Sequence, residues 1–254
     1  MPFKVFVATE ETDLKAIFRL RYHVYCIEWD FEKADDHPDG IETDAYDEHS
    51  IHIGIKDDND RVVGAMRLIL DSSEGFPLEK SCELEIDKDT LPRDKLAEIS
   101  RLAISKDYRR RKEDKFIYGP DEERRIIGSF NYNQNYSSKF YYRRFDDKDR
   151  DSYAAPRQSS SHNDRRNRHE ILFQLYVKMY VECKKRSITH VYAVMGKGLL
   201  NLLRKQGLKN FFKPIGDAVD FHGIRTPFLG DIEKLEQEDF ENSPQLKEEF
   251  TRDL

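Results

Sequence analysis

The 254-residue chain has only three cysteines, Cys26, Cys82 and Cys183. They are far apart and share no paired spacing, which excludes a disulfide framework and reads as reduced thiols in buried, apolar settings. Glycine (12) and proline (9) are few, and no internal repeat is present. No window holds the ~18 apolar residues of a membrane span. The first residues carry one lysine and a short apolar run, then Glu10, Glu11 and Asp13, which does not fit a signal peptide. A soluble cytoplasmic protein is the expectation. A basic surplus is also missing: the net charge is −6, against the charge of a dedicated nucleic-acid binder.

What is present is charge of both signs, 36% of the residues against 38% hydrophobic. Much of it gathers in residues 106–169, where 17 basic and 11 acidic residues leave +6 and the rest of the chain −12. This stretch is rich in Arg, Asp, Asn, Ser and Tyr and poor in aliphatics, and reads as a polar, flexible insertion. It separates an N-terminal half, 1–105, from a C-terminal half, 170–254, which ends in an acidic tail that is helical at first.

The N-terminal half opens with a short strand over 3–8. Thr12 and Asp13 suit the start of a helix running to about Tyr25. Its apolar face, Leu14, Ile17, Phe18, Val24 and Tyr25, also contains Arg21. An acidic loop follows, Asp30 to Asp47. Ile51–Lys56 and Arg61–Leu70, around Asp57-Asp58-Asn59-Asp60, read as a hairpin. Ala97–Ser105 reads as a further strand. In the C-terminal half, Ile171–Cys183 is apolar apart from the stripe Gln174, Lys178, Glu182, a helix buried on most sides. Ile188–Met195 is a strand and Leu199–Lys205 a short helix stopped at Gly207. Phe211–Val219 and Thr226–Leu229 supply two more strands. The order implies an α/β sandwich around a mixed sheet.

Several charged residues sit where burial without a partner is costly. Arg21 lies on an apolar helix face and Arg67 inside the strand Val62–Leu70. Glu98 and Arg101 lie three apart in one strand, on opposite faces by strict alternation. Each has a plainer account: a core arginine in a structural ion pair, or a solvated acidic loop for Glu42–Asp47. The eight histidines form no metal pattern; His49 and His52 read as loop or surface residues. No Ser/His/Asp or Cys/His constellation is present.

Taken together, Arg21-Tyr22-His23-Val24-Tyr25 with Trp29, Glu42–Asp47, Val63-Gly64-Ala65-Met66-Arg67-Leu68 and Glu98-Ile99-Ser100-Arg101-Leu102-Ala103 resemble the acyl-homoserine-lactone (autoinducer) synthases. Pro38–Asp44, Ser100–Ser105 before Tyr108-Arg109-Arg110-Arg111, and Pro214-Ile215-Gly216 leading to Val219–Gly223 bring the chain nearer the PEP-CTERM/exosortase-associated acyltransferases and long-chain N-acyl amino acid synthases. The resemblance covers about 10–112 and 170–235. It implies a GNAT-like acyltransferase fold, a mixed central β-sheet flanked by helices, with the polar insertion outside it. It implies transfer from an acyl-carrier-protein or coenzyme A thioester to an amine, with no permanently bound cofactor and no metal.

On that resemblance Glu98 is the candidate base, with Arg67 and Arg101 beside it. Tyr25, Trp29 and Ser100 fall to the substrate site. Asp44 and Asp47 hold the cationic end of an amino-acid-like acceptor, and Arg21 or Arg101 holds its carboxylate or orders the acidic loop. Backbone N–H groups near Leu102 and Ala103 face the oxyanion. Arg109, Arg110 and Arg111 face the donor phosphate or a carrier protein. Two other readings stand beside this one: a true autoinducer synthase using S-adenosylmethionine, and a non-catalytic acyl or carrier-protein binding module.

Overall fold

The computed structural model describes residues 3–108, 163–220 and 223–254. Most of the expected insertion, with Arg109, Arg110 and Arg111, and also His222, lies outside the described residues. Strand β1 (Lys4–Val7) leads into helix α1 (Glu11–Tyr22). The helix does not continue as α to Tyr25 as expected; His23–Glu28 is π-helical. After the acidic loop come β2 (Ser50–Lys56) and β3 (Val62–Leu70), the hairpin the turn cluster predicts. A short helix α2 (Pro77–Ser81) precedes β4 (Leu96–Ile104).

Helix α3 (Asn163–Lys185) begins inside the stretch assigned to the insertion. Strand β5 (His190–Met195), helix α4 (Lys197–Lys205) and strands β6 (Phe212–Pro214), β7 (Val219–Asp220) and β8 (Ile224–Asp231) follow. Gly207, with φ +111°, ends the chain's run after α4 in a conformation that glycine tolerates without strain. The acidic tail is helical, through Ile232–Lys234, the π-helical Leu235–Asp239 and α5 (Pro244–Thr251). Its apolar side, Leu235, Phe240, Leu246 and Phe250, is buried in the main core.

The strands form one mixed sheet in the order β1-β2-β3-β4-β5-β8-β6, with β7 beside β8. Among the described residues only β4 and β5 pair in parallel; every other pairing is antiparallel. Both faces are covered, so β2 and β3 are buried along almost their whole length. One face packs against α3 and the C-terminal helix, the other against α1. Helix α3 comes so close to the sheet that a Cβ on Gly64 would lie 2.6 Å from Ile55 Cγ2 and 2.7 Å from Ile171 Cγ2. Among the described residues no helix is long and apolar enough to cross a membrane.

Candidate active site

The site starts where two strands part. Strands β4 and β5 pair from Leu96↔His190 to Ile99↔Ala193, then separate, although β4 continues to Ile104. Their divergence opens a cavity of about 500 Å³ through the middle of the sheet. On the α1 face it is walled by Tyr25, Trp29, Phe31, Asp44, Tyr46, Arg67, Glu98, Ser100 and Arg101. On the α3 face its walls are Ile99, Ile104, Tyr176, Ala193 and Met195, all members of the core beneath α3.

The expectation that Glu98 and Arg101 point to opposite faces is corrected by a β-bulge. Arg67 pairs with Ser100 and Ala65 with Ala103, so Met66 faces two residues, Arg101 and Leu102. Arg101 takes φ +49° to allow this. The extra residue turns its side chain to the face that already carries Glu98, Ser100 and Arg67. There Arg101 Nε donates to Glu42 Oε1 at 3.0 Å and Nη2 to Glu32 Oε1 at 3.0 Å. Its Nη2 also lies 3.1 Å from Asp44 Oδ2.

Three arginines and four carboxylates form one ion lattice. Arg21 Nε donates to Glu42 at 2.5 Å, and Nη1 and Nη2 donate to the two oxygens of Asp47 at 2.6 and 3.0 Å. Arg67 Nη1 bridges Asp44 and Asp47 at 2.5 and 2.7 Å, while its Nε donates to Ser100 Oγ at 2.9 Å. Glu32 completes the acidic set on the outer side, through Arg101. Paired, hydrogen-bonded charge of this kind is the form in which ions can be buried. Burial alone would raise the Asp47 carboxyl, but the hydrogen bonds and charge of Arg21, with Arg67, hold it well below the usual range. Asp44 is lowered in the same way by Arg67, against burial.

Glu98 behaves in the opposite sense. It lies in a row across the sheet, Ile69–Glu98–Tyr192–Leu229, whose other side chains are aliphatic or aromatic. Burial pushes its carboxyl up to about 8; the N–H of Leu78, 3.0 Å from Oε2, and the charge of Arg67 only partly offset this. A carboxyl so poised is mostly protonated at neutral pH, and its anion is a far stronger base than an ordinary glutamate. Tyr25 donates to the carbonyl of Leu102 at 3.1 Å, under the Arg101 guanidinium, and so ties the π-helical segment to the bulge.

Of the residues singled out from sequence, Tyr25, Trp29, Asp44, Arg67, Glu98, Ser100, Arg101 and Leu102 line the cavity, and Arg21, Asp47 and Ala103 do not. Arg21 is 1% exposed with its donors committed to Glu42 and Asp47, so it orders the acidic loop and cannot reach a substrate carboxylate. Asp47 is likewise committed to two arginines and sits behind the wall. Ala103 packs against α1. His52 is not a surface residue: it is buried in β2, with Nε2 3.2 Å from the Asp47 carbonyl. Cys82 is only half-buried and lines the cavity, whereas Cys26 and Cys183 are buried as expected. Among the described residues no cluster of His, Cys, Asp or Glu could hold a metal ion.

Sequence reasoning missed Phe31, Tyr46 and Tyr176, and gave Glu42 no individual role. Phe31 follows Trp29 by two residues, and their rings lie 5.5 Å apart, a pairing that aromatic spacing hints at. Tyr176 carries no such signal, since on a helix buried on most sides it looks like core.

Residues 20–118 match the model of the acetyltransferase (GNAT) domain family. No curated protein matches the sequence. Among solved structures the chain is similar to the acyl-homoserine lactone synthase LasI, at 13% identity and a TM-score of 0.55, covering 91% of this chain and 90% of that one. It is similar to BjaI, a CoA-dependent acyl-homoserine lactone synthase solved with MTA, at 19% identity and a TM-score of 0.53, covering 91% and 84%. It is also similar to TofI in a ternary complex with an inhibitor and MTA, at 13% identity and a TM-score of 0.53, covering 91% and 92%. Identities this low carry the fold.

Proposed function

We propose that this chain, an acyltransferase of the GNAT type, moves a fatty acyl group from an acyl-carrier-protein or coenzyme A thioester to the amine of an amino acid or small amine, in the cytoplasm. The observation that carries the reading is Glu98. It is a buried carboxyl raised to about 8, in the wall of the cavity where β4 and β5 part, beside a lattice of committed charges.

The acceptor enters on the α1 face, against Trp29, Phe31 and the acidic edge formed by Asp44 and Glu32. The thioester lies in the parting between β4 and β5. The amine nitrogen attacks the thioester carbonyl, a C–N bond forms, the C–S bond breaks and the thiol leaves. Glu98 takes the proton from the attacking nitrogen, directly or through water. Arg67, bonded to the side chains of Ser100, Asp44 and Asp47, fixes the charged wall, and the bulge at Arg101 presents the segment around Leu102 and Ala103 to the developing oxyanion. Arg109, Arg110 and Arg111 meet the donor's phosphate or an acidic carrier protein. No side-chain nucleophile takes part.

A second reading, an autoinducer synthase, is favoured by the aromatic pair Trp29 and Phe31 beside carboxylates. BjaI, similar in fold, has been solved with SAM and isopentyl-CoA. Mass spectrometry of lipid extracts from cells expressing the wild type or Glu98→Gln separates the readings. An acylated amine present only with the wild type is the expected result. An acyl-homoserine lactone moves the second reading to first place. Extracts that do not differ, with both proteins folded, refute transfer by Glu98.

A further inference from the structure

Glu98 is held from a segment that carries no charged group of the mechanism. Among the described residues one donor bonds to its carboxyl, the N–H of Leu78 in α2. Helix α2 has five residues, too few to keep its place by its own hydrogen bonds. Phe76 and Leu78 anchor it in the core, and Arg93 fastens it from outside. Arg93 belongs to the 3₁₀ turn Arg93–Lys95, just ahead of β4. Its Nη1 donates to Glu79 Oε1 at 2.6 Å, while Nε and Nη2 lie 3.1 and 2.9 Å from Asp71 Oδ1. The guanidinium also lies over the Phe76 ring, 4.7 Å from its centre. That ring in turn meets Tyr192 edge-on at 5.7 Å, and Tyr192 is the neighbour of Glu98 in the sheet row. Asp71 directly follows β3. One guanidinium thus ties the end of β3, helix α2 and the approach to β4 together around the Leu78 contact.

Partly exposed ion pairs add little to stability, but a guanidinium fork fixes geometry, and a stack on an aromatic ring adds to that. The geometry at stake is that of a hydrogen bond, which weakens steeply when its donor turns away. The titratable and charged groups facing Glu98 are Arg67 from β3, Arg101 from β4, Tyr192 from β5, and Glu79 and Cys82 from α2 and the residue after it. Arg67 and Arg101 favour the carboxylate, and Glu79 opposes it. Burial pushes the Cys82 thiol up and the Tyr192 phenol to about 12, so both stay neutral where Glu98 titrates. The Leu78 N–H is therefore the one uncharged group that favours the anion, and its aim depends on how α2 is held. We propose that Arg93 is a positioning residue for the transfer reaction: by clamping α2 to Asp71 and to the approach to β4, it keeps the Leu78 N–H on Glu98 and so keeps the base available. The proposal rests on the reading of Glu98 as that base.

The test reads Glu98 directly and needs no acceptor. The infrared band of its protonated carboxyl is followed from about pH 5 to 10 in the full chain, as wild type, Arg93→Ala and Arg93→Lys. The spectrum of Glu98→Gln in each background is subtracted to isolate the band. Arg93 is partly open to solvent, and circular dichroism checks that the variants fold. The expected result for Arg93→Ala is a titration midpoint at least about half a pH unit higher, the size of a weakened hydrogen bond to an anion. Arg93→Lys keeps the charge but neither the fork nor the stack, and its midpoint should follow that of Arg93→Ala. A merely structural role would lower the melting temperature and leave the midpoint in place. An unchanged or lower midpoint in Arg93→Ala overturns the inference. A wild-type midpoint in Arg93→Lys assigns the shift to charge alone and overturns it as well. In both cases transfer by Glu98 is left standing. If Glu98→Gln forms the acylated product as the wild type does, the base and its positioning residue fall together.

Discussion

Carboxylates of two kinds share this site, Glu98 buried and Asp47 and Asp44 half-buried, and under the same pull of burial they have moved in opposite directions. Asp47 is paired with two guanidinium groups and remains ionised well below the usual range, and Asp44 is lowered in the same sense by Arg67. Glu98 has one backbone N–H, a more distant arginine and an otherwise apolar row, and its carboxyl rises to about 8. Desolvation is the largest influence on all three. What differs is whether a cation completes a hydrogen-bonded pair, and that decides which carboxylates hold the structure and which one can exchange a proton.

The comparison breaks most sharply at Glu98. Glu98→Gln keeps the shape and the Leu78 contact but removes the base, so turnover should fall by about 10²–10⁴ with the fold intact. Single-turnover assays with circular dichroism as a control check this; a variant retaining most of its rate removes Glu98 from the chemistry. Asp47→Ala attacks the other side. It leaves Arg21 and Arg67 short of a partner, and a loss of about 3–5 kcal/mol is expected in urea denaturation. A loss below 1 kcal/mol would mean that the lattice is not a structural element.

The pH dependence of stability sharpens the contrast. The folded value for Glu98 lies above its unfolded value of 4.5. Its contribution is therefore full below that value and is lost as pH rises through about 8. Within that window its loss approaches ~1.4 kcal/mol per pH unit. Glu98→Gln should flatten this slope. Asp47 has the reverse sign: its stabilisation is full above the ordinary carboxylate range and is lost only in strong acid, as pH falls towards its depressed folded value. Denaturation midpoints from about pH 2 to 9 test both, with the Asp47 loss confined to the acid end. The smallest effect belongs to Glu32, whose ion pair with Arg101 is partly open to solvent. Glu32→Gln should cost less than about 1 kcal/mol, and a larger loss would place it inside the lattice rather than at its edge.

The sequence showed these charges because they interrupt apolar patterns. Arg67 stands in a run of β-branched and aliphatic residues, and Arg21 falls on the buried stripe of a helix. The hairpin and the mixed sheet were legible through periodicity and turn residues. The bulge was not, because it depends on a non-glycine residue, Arg101, taking φ +49°, which composition does not announce. Strict alternation therefore sent Arg101 to the wrong face. The π-helical turn at His23–Glu28 was hidden too: such turns are rare, and no residue type announces them. Partner choice was the other blind spot. Nothing local in the sequence shows that Arg21 spends its donors on Glu42 and Asp47, across 21 and 26 residues, and has none left for a ligand.

The opening between β4 and β5 also makes the two halves of the pocket separately heritable. The ion lattice is fixed on one side by interlocking pairs, so a change there disturbs several partners at once. The opposite side is lined by helix α3 and the end of β5 with side chains that touch none of those charges. A lineage can replace them one at a time, with the proton-exchanging carboxyl and its neighbours left in place.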